Sequence, residues 1–153
     1  MIGIREATPP DLAEVARLIR ALATYERLAD SVTWTEPELA EALFGPGTVP
    51  RVLIAELDGR VAGIAVWFRS FSTFLGRPGI WLEDLFVEPA HRGRGVGRAL
   101  LEHLFQLDPN GRVEWAVLDW NVDAIEFYRR SGAAPVTGWT TWRRNGNSGP
   151  GTT

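Results

Sequence analysis

The stretch 81–101, WLEDLFVEPAHRGRGVGRALL, constrains this chain more than any other. It opens as a strand: Trp81, Leu82, Leu85, Phe86 and Val87 are bulky and apolar, and Pro89 stops the run. The composition then turns to glycine and arginine, with Arg92, Gly93, Arg94, Gly95, Val96, Gly97 and Arg98 in succession, before the helical Ala99, Leu100 and Leu101. Strand, glycine-arginine loop and helix together form a cradle for a pyrophosphate. The glycines let backbone N–H groups approach an anion, the helix N-terminus adds partial positive charge, and the arginines add full charges. A glycine-rich turn with solvated arginines is the plainer alternative. The strand before the loop and the helix after it favour a phosphate-bearing cofactor.

Spacing narrows the cofactor. A nucleoside-triphosphate loop needs a lysine after its last glycine, and this chain has no lysine. Gly93, Gly95 and Gly97 give G-x-G-x-G, one residue short of the dinucleotide fingerprint.

Composition excludes several classes. At 153 residues, 45% hydrophobic and 23% charged, the chain suits one soluble globular domain with a real core. The absence of cysteine removes disulfides, thiolate metal sites and a cysteine nucleophile. His91 and His103 lack a nearby ligand pattern; they read as a loop residue and a helix-surface residue, and no metal is expected. A net charge of −3 gives no global field for nucleic acid. No apolar run has the length of a membrane span, and the start lacks the pattern of a signal peptide. Neither a nucleic-acid nor a membrane partner is expected, and the expected location is the cytoplasm.

In chain order, 2–6 reads as a strand. Thr8, Pro9 and Asp11 open a helix carrying Leu12, Val15, Leu18, Ile19 and Leu22 at helical spacing, to about Tyr25 and Glu26. Thr35 and Glu38 form a second capping box before a short helix ended by Gly45. Strands at 52–57 and 61–68 flank an Asp58-Gly59 hairpin turn, and 70–79 reads as a loop. Beyond the glycine-arginine helix, 113–118 reads as a strand and Asn121 caps a helix over 122–130 that Gly132 ends. Closing strands are expected at 135–136 and 139–143. The expectation is an α/β (α+β) fold: a mixed sheet of six to seven strands with helices on both faces, in a single domain over 1–144. The tail 145–153 reads as disordered.

Arg92-Gly93-x-Gly95-x-Gly97 after a strand resembles the R-G-x-G-x-G/A loop of the GNAT superfamily of N-acetyltransferases. Trp120 and Asn121, then Ala124, Ile125, Phe127 and Tyr128, then Gly132 and Ala133, resemble the end of that fold. Tyr25-Glu26 and the L-E-D-x-F-V block from Leu82 are similar to the diamine (spermidine/spermine) branch. The resemblance spans about residues 4–142. It implies acetyl-coenzyme A as cofactor, its pyrophosphate held by Arg92, Gly93, Arg94, Gly95, Val96, Gly97 and Arg98. It implies pairing of the pantetheine arm with backbone of Leu85, Phe86 and Val87, and cofactor contacts from Asn121 and Ala124. A homodimer is implied as well.

Acetylating an amine sets three demands. An amine of pKa ~10 must lose a proton before attack, the developing oxyanion needs donors, and the departing thiolate needs a proton. The resemblance implies Tyr128 as the acid that protonates the thiolate and Glu83 as the base, acting through water. Core packing is the alternative for Tyr128, and the solvated side of a strand for Glu83. Glu83 and Asp84 are adjacent on a strand, so one of them looks inward. Tyr25, Glu26, Phe74, Glu83, Asp84 and Trp139 are the candidate contacts for the acceptor.

The chain departs from the polyamine branch in the loop before the central strand. Ser72 and Phe74 stand where that branch has an aspartate and a tryptophan, and Thr137 is nearest to the acid expected before Trp139. This favours a shorter cationic amine, a diamine or a basic amino acid analogue. Acetylation of another acceptor (an amino acid, an aminoglycoside, a protein amine) and a non-catalytic acyl-coenzyme A sensor are the alternatives.

Overall fold

Strand 52–57 carries apolar residues on both of its faces, which is possible only for a strand covered on both sides. The computed structural model, which describes residues 1–147, shows how. The elements in order are β1 (Ile2–Glu6), α1 (Leu12–Tyr25), α2 (Glu36–Phe44), β2 (Arg51–Leu57), β3 (Arg60–Ser72), β4 (Arg77–Val87), α3 (Val96–Leu107), β5 (Val113–Glu114) and α4 (Val122–Arg130). The sheet order is β1-β2-β3-β4-β5. β1 to β4 are antiparallel neighbours, and β5 joins β4 in parallel.

Val52 and Ile54 of β2, Ile64 and Val66 of β3 and Phe86 of β4 pack with Val15, Leu18 and Leu22 of α1 and Leu39 and Leu43 of α2. Leu53, Ala55 and Leu57 alternate with them and are also buried, so they face the other layer. There α3, with Val96, Leu100, Leu101 and Leu104 buried, packs on β1 to β4.

Local signals act as their chemistry dictates. Asp58 (φ 52°) and Gly59 (φ 79°) both take positive φ in the two-residue turn joining β2 to β3. The Thr35 and Glu38 capping box forms at α2. Asp11 and Thr8 form the other capping box, but Pro9–Asp11 is a 3-10 turn and α1 proper begins at Leu12.

Three expectations are corrected. Residues 70–79 are not a loop: β3 and β4 form one long hairpin in which Ser70 faces Gly79, Phe71 faces Pro78 and Ser72 faces Arg77. Only residues 73–76 turn; cross-strand pairing overrode the turn-like composition of Ser, Gly, Arg and Pro. The strand expected over 113–118 is confined to Val113–Glu114. No strand forms at 135–136 or 139–143, where Val136, Trp139 and Trp142 are exposed. Strand propensity without a ladder partner does not make a strand. The sheet of the described residues therefore has five strands, not six to seven.

The chain divides into two compact units, one over residues 1–116 and one beginning at Val117. Sheet, α1, α2 and α3 belong to the first. The described part of the second holds α4, and residues 131–147 carry no regular helix or strand. Of the tail expected to be disordered, 148–153 lies outside the described residues.

Candidate active site

In the pairing of β3 with β4, Val66 faces Asp84 and Trp67 faces Leu82, which leaves Glu83 without a partner. One extra residue on one strand is a bulge, and it re-aims the side chains around it. Asp84 shares its face with Val66, a member of the α1-side core, so its carboxylate turns toward α1. Glu83 is exposed, and its Oε2 accepts a hydrogen bond from Trp81 Nε1 at 2.9 Å. Of the two adjacent acids, the inward one is Asp84.

Asp84 is pushed up to about 6, first by burial, then by the charges of Glu83 and Glu26. Glu26, the residue that ends α1, is also raised, by burial alone. Neither side chain has a hydrogen bond or an ion pair among the described residues. Three carboxylates thus act on one another, and none of them forms an ion pair among the described residues. Such a cluster attracts an ammonium ion, and a carboxylate titrating near 6 can take a proton from one at neutral pH.

Arg92 fixes the edge of this cluster. Its guanidinium lies 5.0 Å from the Tyr25 ring and 5.4 Å from the Phe86 ring, and its Nε donates to Val87 O at 3.0 Å. The arginine expected to face a phosphate therefore ties α1 and β4 to the start of the loop.

β4 also offers an open edge. The ladder to β5 covers only Ile80 and Trp81. Glu88 N donates to Ala62 O of the β3 side at 2.8 Å, so by alternation Val87 and Leu85 direct their backbone groups to the opposite edge. Phe86 does not: it is paired with Ile64 and its ring lies in the core at 4% exposure. Of the three residues expected to pair with a pantetheine arm, Leu85 and Val87 have their backbone groups on the open side and Phe86 is a core residue.

The glycine-arginine loop fits a phosphate group. Gly93 (φ 74°) and Gly95 (φ 87°) adopt the left-handed region, and a Cβ on Gly93 would meet nothing within 4 Å, so its surroundings are open. Gly95 caps α3 without any side-chain acceptor, and the first turn holds no acid. The first intrahelical bond is Ala99 N to Gly95 O at 3.0 Å, which leaves the N–H groups of Val96, Gly97 and Arg98 without helical partners. Arg94 makes an exposed ion pair to Asp58 at 3.3 Å, and Arg98 is exposed.

In the second unit, Asn121 Oδ1 accepts from Ala124 N at 3.2 Å, which caps α4 as its sequence requires. Ala124 therefore has its N–H engaged and offers a cofactor only its small side chain. Tyr128 is partly buried on α4, with its ring 5.3 Å from that of Phe127 and tilted by 56°. Its carbonyl closes the helix by accepting from Ser131 Oγ at 2.6 Å.

Phe74 is not brought to the acids. It lies 96% exposed at the hairpin tip, and the part of β3 from Val66 to Ser72 alone spans about 20 Å. Trp139 is 80% exposed in the second unit. Among the described residues no group of His, Cys, Asp and Glu could hold a metal, and no helix is long and apolar enough to cross a membrane. Sequence reasoning missed the bulge, since nothing in L-E-D-L says which residue stays unpaired.

Comparison with known proteins gives these features a setting. Residues 17–133 match the model of the acetyltransferase (GNAT) family. A thialysine N-epsilon-acetyltransferase of Bos taurus is 36% identical over 161 residues, covering 96% of this chain and 94% of its own. An L-ornithine N5-acetyltransferase of Arabidopsis thaliana is 29% identical, covering 95% and 85%. Among solved structures, an integron cassette protein from the mobile metagenome of V. cholerae superposes with a TM-score of 0.77 at 25% identity, covering 95% of this chain and 93% of that one.

Proposed function

We propose, for a chain that belongs to the GNAT family of acetyltransferases, that it moves an acetyl group from acetyl-coenzyme A to the primary amine of a small cationic acceptor. The observation that carries the choice of acceptor is the uncompensated carboxylate cluster of Asp84, Glu26 and Glu83, set directly before the open edge of β4. The similar proteins named for thialysine and L-ornithine support an acceptor of this kind.

Acetyl-coenzyme A supplies the activated thioester. The uncapped N–H groups of Val96, Gly97 and Arg98, the opened backbone at Gly93 and Gly95, and the side chains of Arg94 and Arg98 would hold its diphosphate. Leu85 and Val87 would hold the pantetheine arm through backbone hydrogen bonds. The acid pair at the bulge binds the ammonium and accepts its proton. Asp84 is the better-matched base, since its raised pKa lies nearer the working pH than that of an ordinary carboxylate. Glu83 adds charge and reaches the amine through water. Tyr128 supplies the proton that the leaving thiolate requires, a role its phenol can fill. One catalytic domain over 1–144, a homodimer and a cytoplasmic site of action complete the reading; they rest on the family resemblance.

A panel of amines in a thiol-release assay tests the proposal. Diamines and basic amino acids should outrun aminoglycosides and peptides; a preferred peptide, or no turnover with any amine, overturns it. Tyr128→Phe should lower kcat by about a hundredfold or more while coenzyme A binding persists. Unchanged turnover in that variant removes Tyr128 from the chemistry.

A further inference from the structure

Of the carboxylates of Glu26, Glu83 and Asp84, only that of Glu83 has a hydrogen-bond partner among the described residues: its Oε2 accepts from Trp81 Nε1 at 2.9 Å. The two residues stand two apart on β4, so their side chains share a face. Their backbones are held differently. Trp81 is paired on both sides, with Phe68 of β3 and Glu114 of β5, and it is the last residue of β4 in the parallel ladder. Glu83 is the unpaired residue of the bulge, and it is exposed. A donor fixed by two strands thus reaches an acceptor whose own residue neither neighbouring strand holds.

That difference matters for a ligand. An exposed glutamate without a partner must be ordered when the ligand arrives, and ordering a side chain with many rotamers costs affinity. The indole N–H can only donate, so it suits a carboxylate that is to stay an acceptor. It engages Oε2 and leaves Oε1 without a protein partner among the described residues. That second oxygen is open to an ammonium group, or to the water that would carry its proton. Packing accounts for the half-buried ring of Trp81. It does not account for the aim of the N–H at this carboxylate.

Resting on the acetyltransferase reading above, we propose that Trp81 is a positioning residue, whose indole N–H holds the Glu83 carboxylate in place for the acceptor amine. Trp81 acts through Glu83 and needs no contact of its own with acceptor or cofactor.

A double-mutant cycle tests this, with the best amine of the panel above as substrate. Trp81→Phe keeps a ring and removes the N–H. It should lower kcat/KM for the amine about fivefold, the scale of one hydrogen bond, while the KM for acetyl-coenzyme A stays as in wild type. In Glu83→Ala, which removes the acceptor of the bond, adding Trp81→Phe should change nothing further. Trp81→Tyr, which puts a donor back on a ring, should recover part of the loss. If Glu83→Ala turns over too slowly for the cycle, amine affinity by calorimetry in the same set of proteins gives the same comparison. An equal loss from Trp81→Phe with and without Glu83, or no loss at all, assigns Trp81 to packing and overturns its role while leaving the acetyltransferase reading in place. A wild type that acetylates no amine overturns both.

Discussion

Asp84 is a carboxylate whose surroundings favour its neutral form, and that has consequences for stability as well as catalysis. Its pKa in the folded chain, about 6, lies above the ordinary 3.8. Its contribution to stability is therefore full below about pH 4 and is lost as the pH rises through about 6. Asp84→Asn removes the penalty: at pH 7.5 the variant should be more stable to urea by about 2 kcal/mol, and the difference should vanish below about pH 4. The same variant should lose most of its acetyl transfer. A variant that is less stable than wild type at pH 7.5 would contradict the isolation of this group. Asp11 is the counter-example in the same fold. Arg5 donates to it at 2.8 and 2.9 Å and holds its carboxyl well below the usual range, so Asp11 stabilises at neutral pH and loses that effect in acid.

At the scale of elements, the proposed site on β4 depends on the irregularity of that strand. A regular strand would pair Glu83 with β3 and turn Asp84 to the other face. Backbone approach between β3 and β4 is tight just beyond the bulge: a Cβ on Gly63 would lie 2.7 Å from Phe86 O. Gly63→Ala must therefore push β4 at the residues that follow the acids. It should cost about 1–3 kcal/mol in denaturant unfolding. Coenzyme A affinity, measured by calorimetry, should fall as well, because Val87 moves. Retained affinity in a destabilised Gly63→Ala would show that the β4 edge is not part of the cofactor site. The loop that follows uses glycine for a related reason, since Gly93 and Gly95 hold angles that a larger residue resists.

For the molecule as a whole, the net charge is −3, so the anionic cofactor proposed above would gain nothing from the global field. Its attraction would be local, to the arginines and uncapped amides of the loop. Coenzyme A at a hundredfold over its Kd should stabilise the chain by about 2.7 kcal/mol, visible as a rise in melting temperature. High salt should shrink that rise, as the charges are exposed. Absence of any shift at saturating coenzyme A would remove the cofactor assignment.

Much of this was legible in the residues themselves. Gly93, Gly95 and Gly97 between a strand and a helix announced an open loop leading into an uncapped helix N-terminus, because backbone freedom and helix termini are local properties. The Asp58-Gly59 turn, the Thr35 capping box and the Asn121 cap were readable for the same reason. Pairing was not local and was not readable. The extension of β3 and β4 through Ser72 and Arg77, the unpaired Glu83 and the inward turn of Asp84 all depend on register between distant residues. So does the failure of 135–136 and 139–143 to become strands. The sequence by itself marked out a glycine-arginine loop suited to a phosphate-bearing cofactor and two adjacent acids on the strand before it. Only the tertiary structure decided that Asp84 is the acid turned inward, half-buried beside Glu26, while Glu83 faces out. Burial and backbone angle are set by what packs against a residue, and no single stretch of chain contains that information.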